Sequence, residues 1–168
     1  MNASHPTQSR PLAFNSPVEC GLRSVVLLAA AYPQKLDIQR LVQYDYLLVQ
    51  SGDVEFGPPS IHPPTPNRSG ELLVRRPVIE AGIKLMMSKS VIECNTSPSG
   101  IHYLAGEWSL AYLNQLDSRY TRELKARAAW VINTFSSYPD SRLMEFMRGN
   151  WSHWGAEFEL ESFIQEPD

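Results

Sequence analysis

The chain has 168 residues, 43% of them hydrophobic, and a formal net charge of −3. That length can bury a core without metal or disulfide staples, and the composition excludes a disordered chain. The mildly acidic balance argues against a dedicated nucleic-acid binder, which carries a basic excess overall.

Residues 1–15 are polar and contain Pro6 and Pro11, the pattern of a loose N-terminal arm. "SPVE", Ser16 to Glu19, reads as a capping box with proline at the first helical position. Val18, Leu22, Val25, Val26 and Ala29 then recur at helical spacing. Leu27 and Leu28 widen the apolar face, so this helix is expected to be buried on most sides and to stop near Tyr32, before Pro33. Asp37 is a good N-cap for a second helix with Ile38, Leu41, Val42, Leu48 and Val49 inside, ending at "SGD", where Gly52 suits a C-cap.

Residues 54–70 hold five of the thirteen prolines, which rules out a regular helix or a central strand. The tract is either a plain connector or an ordered, proline-shaped loop offering Phe56 and Ile61 to a partner. A third helical segment follows over about Glu71 to Ser88. At Pro77 it either kinks or breaks into two pieces, and Gly82 weakens it modestly. "SVIEC" and "IHYLA" are β-prone, and "NTSPSG" between them is turn chemistry.

Three helices and a hairpin are the order of a winged helix. The expected fold is therefore mainly α (α+β). A winged-helix-like domain spans 16–106 and includes the proline-rich loop 54–70. A helical C-terminal extension spans 107–168. In it, Trp108, Ala111, Tyr112 and Leu116 form one short stripe. Tyr120, Leu124, Ala128, Val131 and Phe135 form a longer one, and Leu143, Met144, Phe146 and Met147 a last. No Lys or Arg follows Arg148, and the tail alternates acidic and aromatic residues. Its Trp151, Trp154 and Phe158 either complete the core or pack on a partner.

No phosphate-binding glycine loop and no G-x-S-x-G elbow occurs. Cys94 and His102 could face each other across the hairpin, but two ligands fall short of a zinc site. Cys20 and Cys94 are too few for a disulfide framework and read as small apolar fillers. Asp45, between two tyrosines in an apolar helix, reads as a partly exposed or hydrogen-bonded carboxylate rather than a catalytic one. The expectation is no enzyme, no cofactor and no metal. The four sequons, at Asn2, Asn67, Asn95 and Asn150, matter only in a secreted protein. The chain has no signal-peptide pattern, and its longest apolar run, Val25 to Tyr32, is too short to span a bilayer. A cytoplasmic location with no membrane partner is expected.

Arg68, Arg75, Arg76, Lys84 and Lys89 are opposed only by Glu71 and Glu80. In a winged helix the third helix enters the major groove, so these cations are candidates for DNA contact. They equally suit a docking face for an acidic partner. Arg75 and Arg76 diverge by about 100° on a helix, so at least one is expected to be exposed unless it is paired.

"SPVECGLRSVVLLAAAYP", "DYLLVQSGD", "GPPSIHPPTPNRSGELLVRR", "LMMSKSVIE", "GIHYLAGE" and "WGAEF" together resemble the middle component of bacterial ABC-three-component systems. The likeness runs from about Asn15 to Phe158, and the proline tract with Arg68-Ser69-Gly70-Glu71 is its most specific part. Such systems resemble the Lamassu type of anti-phage defence. The resemblance implies a non-catalytic accessory subunit bridging an SMC/Rad50-like ABC ATPase and a nuclease-type effector, with DNA met mostly through the complex. It carries over no catalytic residues. The alternative, from the fold alone, is a stand-alone winged-helix DNA-binding transcriptional regulator.

Overall fold

The computed structural model describes residues 15–64 and 68–153. Helix α1 (Pro17–Ala31) begins as expected, with Ser16 Oγ accepting from the Glu19 backbone N–H at 3.3 Å. The capping box is not reciprocal, however. The Glu19 carboxylate turns away to accept from the Tyr120 hydroxyl at 2.6 Å. Helix α2 (Ile38–Val49) is capped by Asp37, whose carboxylate accepts from the Arg40 N–H at 2.7 Å. It ends earlier than Gly52, which instead lies inside a 3-10 turn, Ser51–Asp53.

Helix α3 (Arg68–Met87) runs without a break through Pro77, so neither two pieces nor a stop forms there. Pro77 sits on the exposed side of α3. A proline in mid-helix leaves the carbonyl one turn earlier without its helical partner, a loss that solvent can make good on an exposed side. Strands β1 (Ile92–Ser97) and β2 (Gly100–Ala105) pair antiparallel from Ile92↔Ala105 to Ser97↔Gly100. The strands are longer than the β-prone residues alone predict. Asn95, Thr96 and Ser97 join β1, which leaves only Pro98 and Ser99 to turn. Gly100, at φ +115°, takes the backbone angle that a side chain would oppose. The register sets Cys94 against Tyr103 and Asn95 against His102, so the Cys94–His102 pairing does not form. Leu36, between α1 and α2, adds one bridge to the outer edge of β2 through Tyr103, with N–H···O distances of 2.9 and 2.8 Å. The layout is winged-helix-like: three helices, then a hairpin whose edge is extended by the first connection.

Helices α4 (Ser109–Asn114), α5 (Arg119–Phe135) and α6 (Asp140–His153) follow. The α5 stripe is buried as its period predicts, with Leu124, Ala128, Val131 and Phe135 all inside. In α4 the residues buried are Ser109 and Leu113, while Trp108 stays in water. Of the stripe read from its sequence, Trp108 and Ala111 are exposed and Tyr112 and Leu116 half-buried. Leu143 and Met147 of α6 are buried, the Phe146 ring centre lies 5.2 Å from that of Phe135, and Arg40 on α2 binds Asp140 at 2.5 Å and the Tyr138 carbonyl at 2.7 Å. No helix of the described residues is long and apolar enough to cross a membrane.

Helix α1 is the central element, lying against α2, α3, α4, α5 and β2. Its closest neighbour is α3, and glycines set the distance. A Cβ on Gly82 would sit 2.5 Å from the Gly21 nitrogen and 2.5 Å from the Pro17 carbonyl oxygen. Gly82 therefore does more than weaken a helix: it lets two backbones touch. Gly82→Ala is expected to cost about 2–3 kcal/mol in urea unfolding, because rigid backbone rather than a flexible side chain must move. Gly149→Ala, where nothing lies within 4 Å of the added carbon, is expected to add about 0.5 kcal/mol. Equal effects at the two positions would refute the close crossing.

Candidate functional site

The most distinctive chemistry lies inside the helical layer. Arg23 on α1, Asp45 on α2 and Arg75 on α3 meet in the core, at 0%, 1% and 3% exposure. Arg23 grips Asp45 with two parallel bonds, Nε to Oδ1 at 2.5 Å and Nη2 to Oδ2 at 3.0 Å. Arg75 Nη1 donates to the same Oδ2 at 2.6 Å. A fork-on-carboxylate pair is the strong geometry for such a bond. Arg23 also reaches Cys20 Sγ at 3.2 Å and Asn15 Oδ1 at 3.4 Å, and the Arg75 guanidinium lies over the Tyr46 ring, 5.6 Å from its centre.

Two arginines against one aspartate would leave a positive charge inside. Glu19 balances it, with Oε1 3.5 Å from Arg23 Nη1. Tyr120 on α5 donates to that oxygen at 2.6 Å. The phenol has a single proton, so its oxygen accepts from Nε2–H of His62 in the proline loop, at 2.9 Å. Glu19, Arg23, Asp45 and Arg75 thus alternate in sign and sum to zero, and His62 and Tyr120 close the end of the row.

Burial acts to raise the Asp45 pKa, but the charges of Arg23 and Arg75 outweigh it and hold the carboxyl below its ordinary range. At Glu19 burial is likewise overcome, here by the His62 imidazole 3.6 Å away, by the hydrogen bond from Tyr120 and by the Arg23 charge. Burial and the Glu19 carboxylate both push the Tyr120 phenol up. Burial pushes the Cys20 thiol up to about 11, which keeps it protonated and a poor nucleophile. Among the described residues no group of three or more His, Cys, Asp or Glu is placed to hold a metal ion.

The proline loop is joined to this network along its described length. Ile61 and His62 N–H groups both donate to the Val49 carbonyl, at 3.0 and 3.1 Å, and Gln50 Nε2 donates to the Pro63 carbonyl at 3.1 Å. Arg127 on α5 binds both Ser51 Oγ and the Pro59 carbonyl. Residues 54–64 are therefore an ordered loop strapped across α2 and α5, not a plain connector.

The cations singled out from the sequence separate. Arg75 points inward and is consumed by Asp45, which removes it from any DNA or partner face. Arg76 is half-buried and paired with Glu80 at 3.2 Å. Lys84 and Lys89 are exposed. Arg68 begins α3, and its side chain lies outside those described. Phe56 is 88% exposed at the tip of the loop, whereas Ile61 packs against the core and anchors it. Trp151 falls in the last turn of α6 with its side chain outside those described, and Trp154 and Phe158 lie outside the described residues.

Residues 13–157 match the family model described as the ABC-three component (ABC-3C) system Middle Component 2. Neither the comparison with curated proteins nor that with solved structures returned a match.

Two expectations test the cluster. Asp45→Asn leaves two arginines facing each other without their anion and is expected to cost about 3–5 kcal/mol, or to prevent folding. In the wild type, Asp45 and Glu19 bind protons less readily folded than unfolded. Stability is then fully present near neutral pH and falls as the pH drops below about 5 through the folded-state pKa values. Glu19→Gln, which keeps an acceptor for Tyr120, should fold and show a shallower acid slope; an unchanged slope would remove Glu19 from the row. Separately, Arg127→Ala should speed limited proteolysis within residues 54–64 about tenfold or more, while cleavage as slow as in the wild type would mean that α5 does not hold the loop.

Proposed function

The chain belongs to the middle component 2 family of ABC-three-component systems, and from that premise we propose that it is the small accessory subunit of such a system. In this reading it catalyses no reaction itself. It joins an SMC/Rad50-like ABC ATPase to a nuclease-type effector in a cytoplasmic, Lamassu-type anti-phage defence complex. The single observation that carries the reading is the family match, which covers nearly the whole chain. The fate of the charges supports it. The residues with the most perturbed chemistry are turned to one another, Arg23 to Asp45 and Tyr120 to Glu19, and hold the helices together. What the surface offers is exposed aromatic and aliphatic side chains, the material of protein interfaces.

The surface also weighs against an independent regulator. With Arg75 inside and Arg76 paired to Glu80, the side chains described on the exposed side of α3 include Val74, Ala81 and Leu85 beside Lys84. Such a face neutralises few phosphates.

Co-expression with the other components of its system, followed by size-exclusion chromatography, tests the proposal. The chain is expected to elute with the ATPase component. Alone, it is expected to bind duplex no more tightly than the roughly 10⁻⁴–10⁻⁶ M of non-specific contact at physiological salt. Elution as a lone monomer under every nucleotide and DNA condition would contradict the accessory role. Tight, sequence-dependent duplex binding by the isolated chain would point to the regulator instead.

A further inference from the structure

We propose that the groove between the C-terminal end of α1, the outer face of the hairpin and α4 receives a basic amphipathic helix from another component of the system. The inference rests on the accessory-subunit reading and adds to it a place and a chemistry. The groove has a volume of about 460 Å³. Tyr32, 64% exposed, and Leu110, 67% exposed, both line it. Leu104 and Ala105 of β2 add to its apolar lining. Apolar side chains gathered in one concavity differ from a scatter of exposed residues, which any surface has.

Charge selects the occupant. Glu93 on β1 and Glu107 before α4 both line the groove and both are exposed, and no Lys or Arg lines it. Neither carboxylate has a cation within salt-bridge distance among the described residues. An apolar trough flanked by two unneutralised carboxylates fits a helix that presents aliphatic or aromatic anchors between lysines or arginines. Duplex DNA is disfavoured by the same two charges. The chain's own acidic tail after Arg148, which has no Lys or Arg, would meet like charge here. A second copy would have to bring its cations from another face, because this one has none.

The test uses the full chain with the purified ATPase and effector components as probes, and binding is measured by calorimetry at two salt concentrations. Leu110→Asp should weaken binding to one component about 100-fold, as expected for an anchor at the centre of an interface. Glu93→Lys/Glu107→Lys should weaken it about tenfold and flatten its salt dependence. Both variants change exposed residues, so their thermal unfolding midpoints should match the wild type. Wild-type binding with all variants equally tight would overturn the groove while leaving the accessory role standing. Wild-type affinity that does not fall with salt would overturn the basic partner. Absence of any wild-type binding would overturn both readings. Sedimentation of the chain alone as a dimer that Leu110→Asp dissociates would assign the groove to a second copy and overturn the proposal.

Discussion

The arrangement of the first three helices depends on one buried carboxylate. Asp45 takes both prongs of Arg23 from α1 and one nitrogen of Arg75 from α3, and it does so where water cannot substitute. Such a tie adds little net stability, because three charges were stripped of water to make it. Its effect is on geometry. A purely apolar contact tolerates sliding or rotation of one helix on another. A forked guanidinium on a carboxylate does not, since any register that parts them strands a charge in the core. The glycine crossing of α1 and α3 acts the same way, because the two backbones meet at Gly21 and Gly82, where an added Cβ would lie 2.8 Å or less from the facing backbone.

From that tie the network extends outward to the elements with less regular structure. Glu19 offsets the second arginine, Tyr120 brings α5 to Glu19, and His62 brings in the proline loop. Arg127 fastens the loop from its other side. The loop, which has few apolar residues of its own to bury, is thus fixed by polar bonds to the helical core. The order of a stretch rich in proline follows from where its backbone groups and its one histidine find partners. With Arg23, Asp45 and Arg75 turned inward, the charges left in water include local pairs, Arg119 with Glu123 and Arg122 with Asp117, beside exposed apolar residues such as Phe56, Trp108 and Leu110.

Much of this was legible in the residues. Ser16 and Asp37 cap α1 and α2, the α5 stripe is buried at its 3.6-residue period, and the hairpin turns inside "NTSPSG", at Pro98 and Ser99. Those are local signals, written by the chain within a few residues of where they act. Continuity of α3 through Pro77 was not legible, because it depends on which side of the helix faces water. Nor was the role of Gly82, which depends on what crosses it. The clearest omission was Arg23. It stands alone in "CGLRSVVLL", as Asp45 stands alone in "QYDYLLV". Two lone, opposite charges on helices expected to be buried must find each other or leave the core, and that argument was available from sequence. Arg75 could not be separated from Arg76 in the same way, since adjacent positions differ only in which one the tertiary fold turns inward.

The ionisation of Asp45 is the most direct measure of whether the helices are joined as described. The carboxyl ¹³C resonance of Asp45, followed through an acid titration of the full chain, should keep its ionised value through the pH range in which an ordinary aspartate takes up its proton, until the protein unfolds. An inflection at or above about pH 4 in the folded protein would mean that Arg23 and Arg75 do not hold this carboxylate, and would contradict the account.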